Sequence, residues 1–127
     1  MNEWYNNLVK PSWTPPSWVF GVIWPILYIL MFISFLLVYL SKKCFPYCNA
    51  ITLFLLQLFF NIIWTSLFFK LKKPFIALLD LIFIIIFTIY TFFEFKKINI
   101  IASLLLIPYI LWLFLALSLN FFIVIKN

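Results

Sequence analysis

Residues 74–95 read PFIALLDLIFIIIFTIYTFFEF. One proline opens the run, Asp80 interrupts it, and Glu94 lies near its far end. A run of about 20 apolar residues crosses roughly 30 Å of hydrocarbon at about 1.5 Å per residue in a helix. Its many Ile, Phe and Thr residues favour a strand in water. In lipid, each backbone N–H and C=O must be satisfied within the segment, and a helix achieves that.

Three further runs of the same kind surround it, at about 17–40, 50–69 and 100–125. The chain has 127 residues, is 68% hydrophobic, and has a mean hydropathy of +1.21. A small globule leaves much of its surface in contact with solvent, so lipid must be the solvent for most of this one. The expected fold class is all-α: an integral, multi-pass membrane bundle of four helices with an aromatic, proline-rich N-terminal loop over 1–16. Short connections make sequential helices antiparallel, and residues 1–127 read as one transmembrane domain. The first run is too long for a cleaved signal sequence, and no small-x-small site follows it.

The net charge of +6 comes from nine lysines. They stand singly or in small groups between apolar runs, as interface anchors do, and do not form a nucleic-acid patch. Alternation puts Lys10, Lys70, Lys72, Lys73 and Lys126 at one end and Lys42, Lys43, Lys96 and Lys97 at the other. That balance leaves orientation, and the identity of the membrane, open. There is no histidine, and the acids are Glu3, Asp80 and Glu94. Neither a metal site nor a Ser-His-Asp arrangement follows from such a set, so no catalytic residue is assigned. Cys44 and Cys48 read as incidental cysteines, with a local disulfide as the alternative if their loop faces an oxidising compartment.

The polar residues inside the spans are more informative, because they are costly in lipid and turn inward. Gln57, Asn61 and Trp64 share one helix face, and so do Tyr109, Trp112, Ala116 and Asn120. Phe20, Trp24, Tyr28, Met31 and Phe35 make an aromatic stripe. Three such stripes describe an apolar pocket with sparse polar groups. The competing reading is interhelical glue at about 0.6 kcal/mol per hydrogen bond. Asp80 is expected to pair with Lys73, two turns away, and a proton relay is the alternative. Pro25 and Pro108 are expected to kink their helices. Gly21 stands alone, so no GxxxG motif is present.

Ahead of these spans lies Trp4-Tyr5 and then Lys10-Pro11-Ser12-Trp13-Thr14-Pro15-Pro16. The prolines make this an extended loop. Its rings suit either a lid on the bundle end or an ordinary interfacial belt.

Together with Trp24, that loop resembles the first-loop signature of the translocator protein family, also called the tryptophan-rich sensory protein or peripheral-type benzodiazepine receptor family. Gln57-Leu58-x-x-Asn61-x-x-Trp64, Phe68-Phe69, Ala77-Leu78-x-Asp80, Pro108-Tyr109-x-x-Trp112, Ala116 and Leu119-Asn120 continue the likeness in order. The resemblance implies a membrane bundle that binds tetrapyrroles, notably protoporphyrin IX and haem, and forms homodimers. It implies that Tyr5, Pro15, Trp24, Asn61, Trp112 and Ala116 line the pocket. Sterol contact in the family centres near Asn120, but Phe121 stands here in place of the tyrosine of the animal sterol motif. The family has five spans, the first before the Trp-Tyr loop, and this chain starts three residues ahead of that loop. Four spans are therefore expected here, with the loop less firmly tethered.

The resulting expectation is a receptor, carrier or regulator of tetrapyrrole levels, with no cofactor required. The candidate ligand residues are Tyr5, Pro15, Phe20, Trp24, Tyr28, Gln57, Asn61, Trp64, Tyr109, Trp112, Ala116 and Asn120. Two other classes stay open: a light-dependent porphyrin-degrading enzyme, and a structural or transport component without a small ligand.

Overall fold

A computed structural model describes residues 10–15, 17–42 and 48–126. Trp4, Tyr5, Pro16, Lys43 and Cys44 fall outside that set.

Helix α1 spans Ser17–Tyr39 and runs through Pro25 without a break. Helix α2 spans Asn49–Thr65. It begins directly after Cys48, which is disulfide-bonded. This corrects the reading of the cysteines as incidental. The end of α2 widens into a π-helical turn over Ser66–Lys70, where the Leu71 N–H reaches back to the Ser66 carbonyl at 2.9 Å. Lys72 then adopts a left-handed φ of 55°. That conformation is uncommon for a residue with a Cβ. It reverses the chain within three lysines, so that Pro74 can occupy the first turn of α3, where its missing N–H costs nothing.

Helix α3 spans Pro74–Ile98. The last apolar run is divided into α4, Ile100–Leu105, and α5, Ile107–Lys126. Asn99 caps α4, its side-chain oxygen accepting from the N–H groups of Ile101 at 2.9 Å and Ala102 at 3.2 Å. The break is a proline effect. Pro108 has no N–H to donate and disfavours helical geometry at Ile107. The Leu106 N–H turns instead to Ser103 at 3.0 Å. The carbonyl of Ala102 accepts from the Ser34 hydroxyl of α1 at 2.7 Å, a buried bond that pins α1 to α4.

Among the described residues, four stretches are long and apolar enough to cross a membrane: Trp18–Tyr39, Asn49–Phe68, Pro74–Ile98 and Ile100–Lys126. No strand is present among the described residues. Helix α3 is the hub and packs against α2, α4 and α5. Helix α1 packs mainly on α4 and meets α2 and α5 only sparsely. The core holds Leu27, Met31, Phe54, Ile84, Phe95 and Leu113. Outward, Ile29, Phe32, Phe59, Ile62, Phe75 and Leu111 are exposed, as expected where the solvent is lipid.

Candidate functional site

Because α1 is pinned to α4 but stands off α2 and α5, a cavity of about 270 Å³ is left toward the N-terminal end of α1. Helix α1 lines it with Phe20, Trp24 and Tyr28. The end of α2 and its π turn supply Trp64, Thr65 and Phe68. Helix α5 supplies Trp112, Ala116, Leu119, Asn120 and Ile123.

The rings meet both edge to face and stacked. Trp112 makes T-shaped pairs with Phe20 at 5.4 Å and 71°, and with Trp24 at 6.1 Å and 88°. Trp24 stacks on Tyr28 at 5.7 Å, and Trp64 on Phe68 at 5.0 Å. Ring quadrupoles favour such offset and T-shaped pairs. Ala116 is the small residue among them and leaves the room.

Asn120 is fully engaged. Its oxygen accepts from Trp64 Nε1 at 3.2 Å, and its nitrogen donates to the Pro74 carbonyl at 3.0 Å. One amide thus holds α2, α3 and α5 together at the cavity wall. Trp112 Nε1 is buried without an acceptor.

Beneath the cavity runs a one-way chain of hydrogen bonds. The Tyr28 hydroxyl donates to Asn61 Oδ1 at 2.6 Å, and Asn61 Nδ2 donates to the Tyr109 hydroxyl at 2.7 Å. Tyr109 donates to Gln57 Oε1 at 2.7 Å, and Gln57 Nε2 points at Met31 Sδ, 3.9 Å away. Thr88 approaches Gln57 Oε1 at 3.4 Å. Every link is directional, so Tyr28, on the cavity wall, fixes the orientation of the amide below it. The space between wall and chain is a void of about 10 Å³ beside Asn61, Trp64 and Leu113. That is at the lower limit for a single water.

The sequence candidates therefore divide. Phe20, Trp24, Tyr28, Trp64, Trp112, Ala116 and Asn120 come together on the cavity wall. Gln57, Asn61 and Tyr109 lie below it as a buried polar floor, Tyr109 with no exposure at all. Pro15 is in the loop and off the wall, and Tyr5 lies outside the described residues. Thr65, Phe68, Leu119 and Ile123 also line the cavity and are not among the candidate ligand residues, although Phe68 and Leu119 stand in the family motifs. Leu119 and Ile123 could have been found by extending the Trp112–Ala116–Asn120 face by one turn, whereas Phe68 is delivered by the π turn, which left no readable signal.

The loop crosses to the far side of α5. Thr14 closes a turn on the Pro11 carbonyl through its hydroxyl at 2.7 Å. Trp13 Nε1 donates to Ser118 Oγ at 3.1 Å, and the ring sits edge-on to Phe122 at 5.8 Å. Asp80 departs from expectation. It is 7% exposed, its Oδ2 has no partner, and the ion pair among the described residues is Lys97–Glu94 at 3.1 Å. Lys73 is exposed and does not pair with it. The three-lysine reversal turns Lys73 outward, where its ammonium stays hydrated. No cluster of metal-binding side chains is present among the described residues.

An integral membrane helix bundle with an indole-walled cavity, and a proline-rich loop held against its last helix, is the class these features define. The model of the TspO/MBR family matches residues 1–125, and the chain belongs to that family. It is 38% identical over 125 residues to the tryptophan-rich protein TspO of Chlorobaculum tepidum, covering 98% of this chain and 79% of that protein. It is 36% identical over 120 residues to the tryptophan-rich sensory protein of Cereibacter sphaeroides, covering 94% and 74%. It is 34% identical over 121 residues to the human translocator protein, covering 94% and 72%.

Proposed function

We propose that the cavity binds a tetrapyrrole, protoporphyrin IX or haem, and that the protein acts as a receptor, carrier or regulator of tetrapyrrole levels in its membrane. The observation that carries this reading is the wall itself. Trp24, Trp64 and Trp112 surround one apolar space, and family membership supports a tetrapyrrole-related role. Flat rings stack favourably on such walls. Lys70, two residues beyond the cavity-lining Phe68, and Lys126, one turn beyond the cavity-lining Ile123, are the cations that would pair with the propionate carboxylates. At about 270 Å³ the cavity is just below the usual range for a drug-sized ligand, roughly 300–1,000 Å³. A porphyrin must therefore part α1 from α2, which are in sparse contact. Homodimerisation belongs to the same proposal.

The test is a titration of detergent-solubilised protein with protoporphyrin IX, read by tryptophan emission. Saturable quenching is expected. Quenching that stays linear and matches free tryptophan overturns the reading.

The contact between Trp24 and Trp112 favours a second reading, light-dependent porphyrin breakdown. An indole beside an excited ring is an electron donor, with dioxygen as the terminal oxidant. Porphyrin loss that proceeds equally in darkness, or without dioxygen, rules this out.

A further inference from the structure

Away from the cavity, the seam between α1 and α4 is grooved on its lipid-facing side. A groove of about 420 Å³ is walled by Ile33, Leu36, Leu37 and Leu40 and ends at Ser41 and Asn99. Farther along α1, toward the cavity end, a second groove of about 410 Å³ lies between α1 and α5, past Ile26, Leu30, Leu111 and Leu115. The first groove is built like an amphiphile, with an apolar wall leading to a polar rim.

The rim carries donors and cations. The Asn99 oxygen is consumed in capping α4, so its amide nitrogen is the group left to donate. Lys42 follows Ser41 directly, and Lys96 and Lys97 precede Asn99 by one turn; all three are exposed. Glu94 is the carboxylate at this end among the described residues, and Lys97 engages it at 3.1 Å. The charges of Lys42 and Lys96 are therefore uncompensated by any described acid.

We propose that this seam holds an anionic phospholipid, with its acyl chains along the two grooves and its phosphate against Asn99, Lys42 and Lys96. A phosphodiester offers only acceptors, and at this rim the Asn99 amide nitrogen and the ammonium groups of Lys42 and Lys96 are donors. Basic rims between transmembrane helices are suited to acidic head groups. The head-group end shares no residue with the tetrapyrrole cavity, and the second groove backs onto that cavity through Trp112.

The experiment is native mass spectrometry of the detergent-solubilised chain, incubated with equal amounts of phosphatidylglycerol and phosphatidylcholine bearing the same acyl chains. Each lysine near an anionic head group contributes about fivefold, so the expected preference for phosphatidylglycerol is roughly 25-fold. Lys42→Gln with Lys96→Gln brings the ratio near unity, while Lys70→Gln with Lys72→Gln at the other end leaves it in place. Ile33→Trp, which fills the groove, lowers retention of both lipids. On the unaltered chain, phosphatidylglycerol shields Lys42 and Lys96 from acetylation and leaves Lys70 and Lys72 reactive.

Equal retention of the two lipids overturns the proposal, as does a preference lost only with the Lys70 and Lys72 pair. Inorganic phosphate that shields Lys42 and Lys96 as well as the lipid does would show an anion site without a lipid site, and overturns it too.

Discussion

Aromatic rings behave differently at the two ends of this bundle. Away from the loop, Phe35 stacks on Phe54 at 5.3 Å and on Tyr39 at 5.7 Å, and Phe54 stacks on Phe95 at 5.9 Å, all within 26° of parallel. Those rings fill the space between helices. At the loop end, Phe20, Trp24 and Trp112 meet near right angles or around a void. The cause lies in what stands between the helices. Ser34 and Ala102 are small, buried and hydrogen-bonded, so α1 closes onto α4. One to two turns beyond the Leu106 break, Trp112 occupies the corresponding place and holds α1 off α5. Helix α1, pinned to α4 at one end and wedged off α5 at the other, makes both a packed core and a cavity.

If the packed end carries the stability, Phe54→Ala should be the most damaging single truncation. Phe54 is 5% exposed. Truncating a buried phenylalanine costs about 3–5 kcal/mol. Phe20→Ala, on the cavity wall, should cost far less, because its ring already borders empty space. Denaturant titration of the two variants in one detergent compares them, and similar losses would break the contrast.

Ala116→Phe probes the other end. It places a ring in the space the cavity occupies. Overpacking costs about 1–3 kcal/mol, while porphyrin affinity should fall tenfold or more. A variant that binds protoporphyrin IX as tightly as the parent shows that the ligand lies elsewhere.

Tyr109→Phe tests the polar floor that joins the two ends. It strips the middle link from the chain, leaving Asn61 Nδ2 unpaired and Gln57 Oε1 with only the long contact to Thr88 at 3.4 Å. The expected cost is about 1–2 kcal/mol. Affinity should fall only a few-fold, because the effect reaches the wall through Tyr28. An affinity loss larger than that of Ala116→Phe would mean that the floor, and not the space above it, selects the ligand.

The sequence makes the spans plain, because each must be about 20 apolar residues long and nothing but a helix can hold them in lipid. Where they break is another matter. Pro25 and Pro108 look equivalent in sequence, yet α1 runs through one and the last span divides two residues before the other. What distinguishes them is a tertiary partner, the Ser34 hydroxyl that takes the Ala102 carbonyl. The same limit applies to the inward stripes. Spacing puts Gln57 and Asn61 on one face with Trp64, but it does not say whether that face meets another helix or a void. Both readings hold, for different residues: the amides meet Tyr28 and Tyr109 across the bundle, while Trp64 borders the cavity. Asp80 shows the limit of pairing by helix register alone. Its two-turn relation to Lys73 predicts an ion pair, and the three-lysine reversal turns Lys73 away.

The smallest expected effect lies in the strap, where the two readings of the loop part company. As an interfacial belt, Trp13 needs only an amphipathic ring at the membrane boundary. As a strap, it needs the bond from its Nε1 to Ser118. Trp13→Phe keeps a ring to set against Phe122 and removes only the donor. Trp13 is 52% exposed. A hydrogen bond at such a site contributes about 0.5–1 kcal/mol. Cleavage within residues 10–16 by a nonspecific protease should therefore quicken about two- to fivefold, and porphyrin affinity should change less than twofold. Ser118→Ala should do the same, and the double variant should be no worse than either single one, since both remove one bond. If the two substitutions add, or if neither changes cleavage, Trp13 is a belt residue and the loop is held by something else.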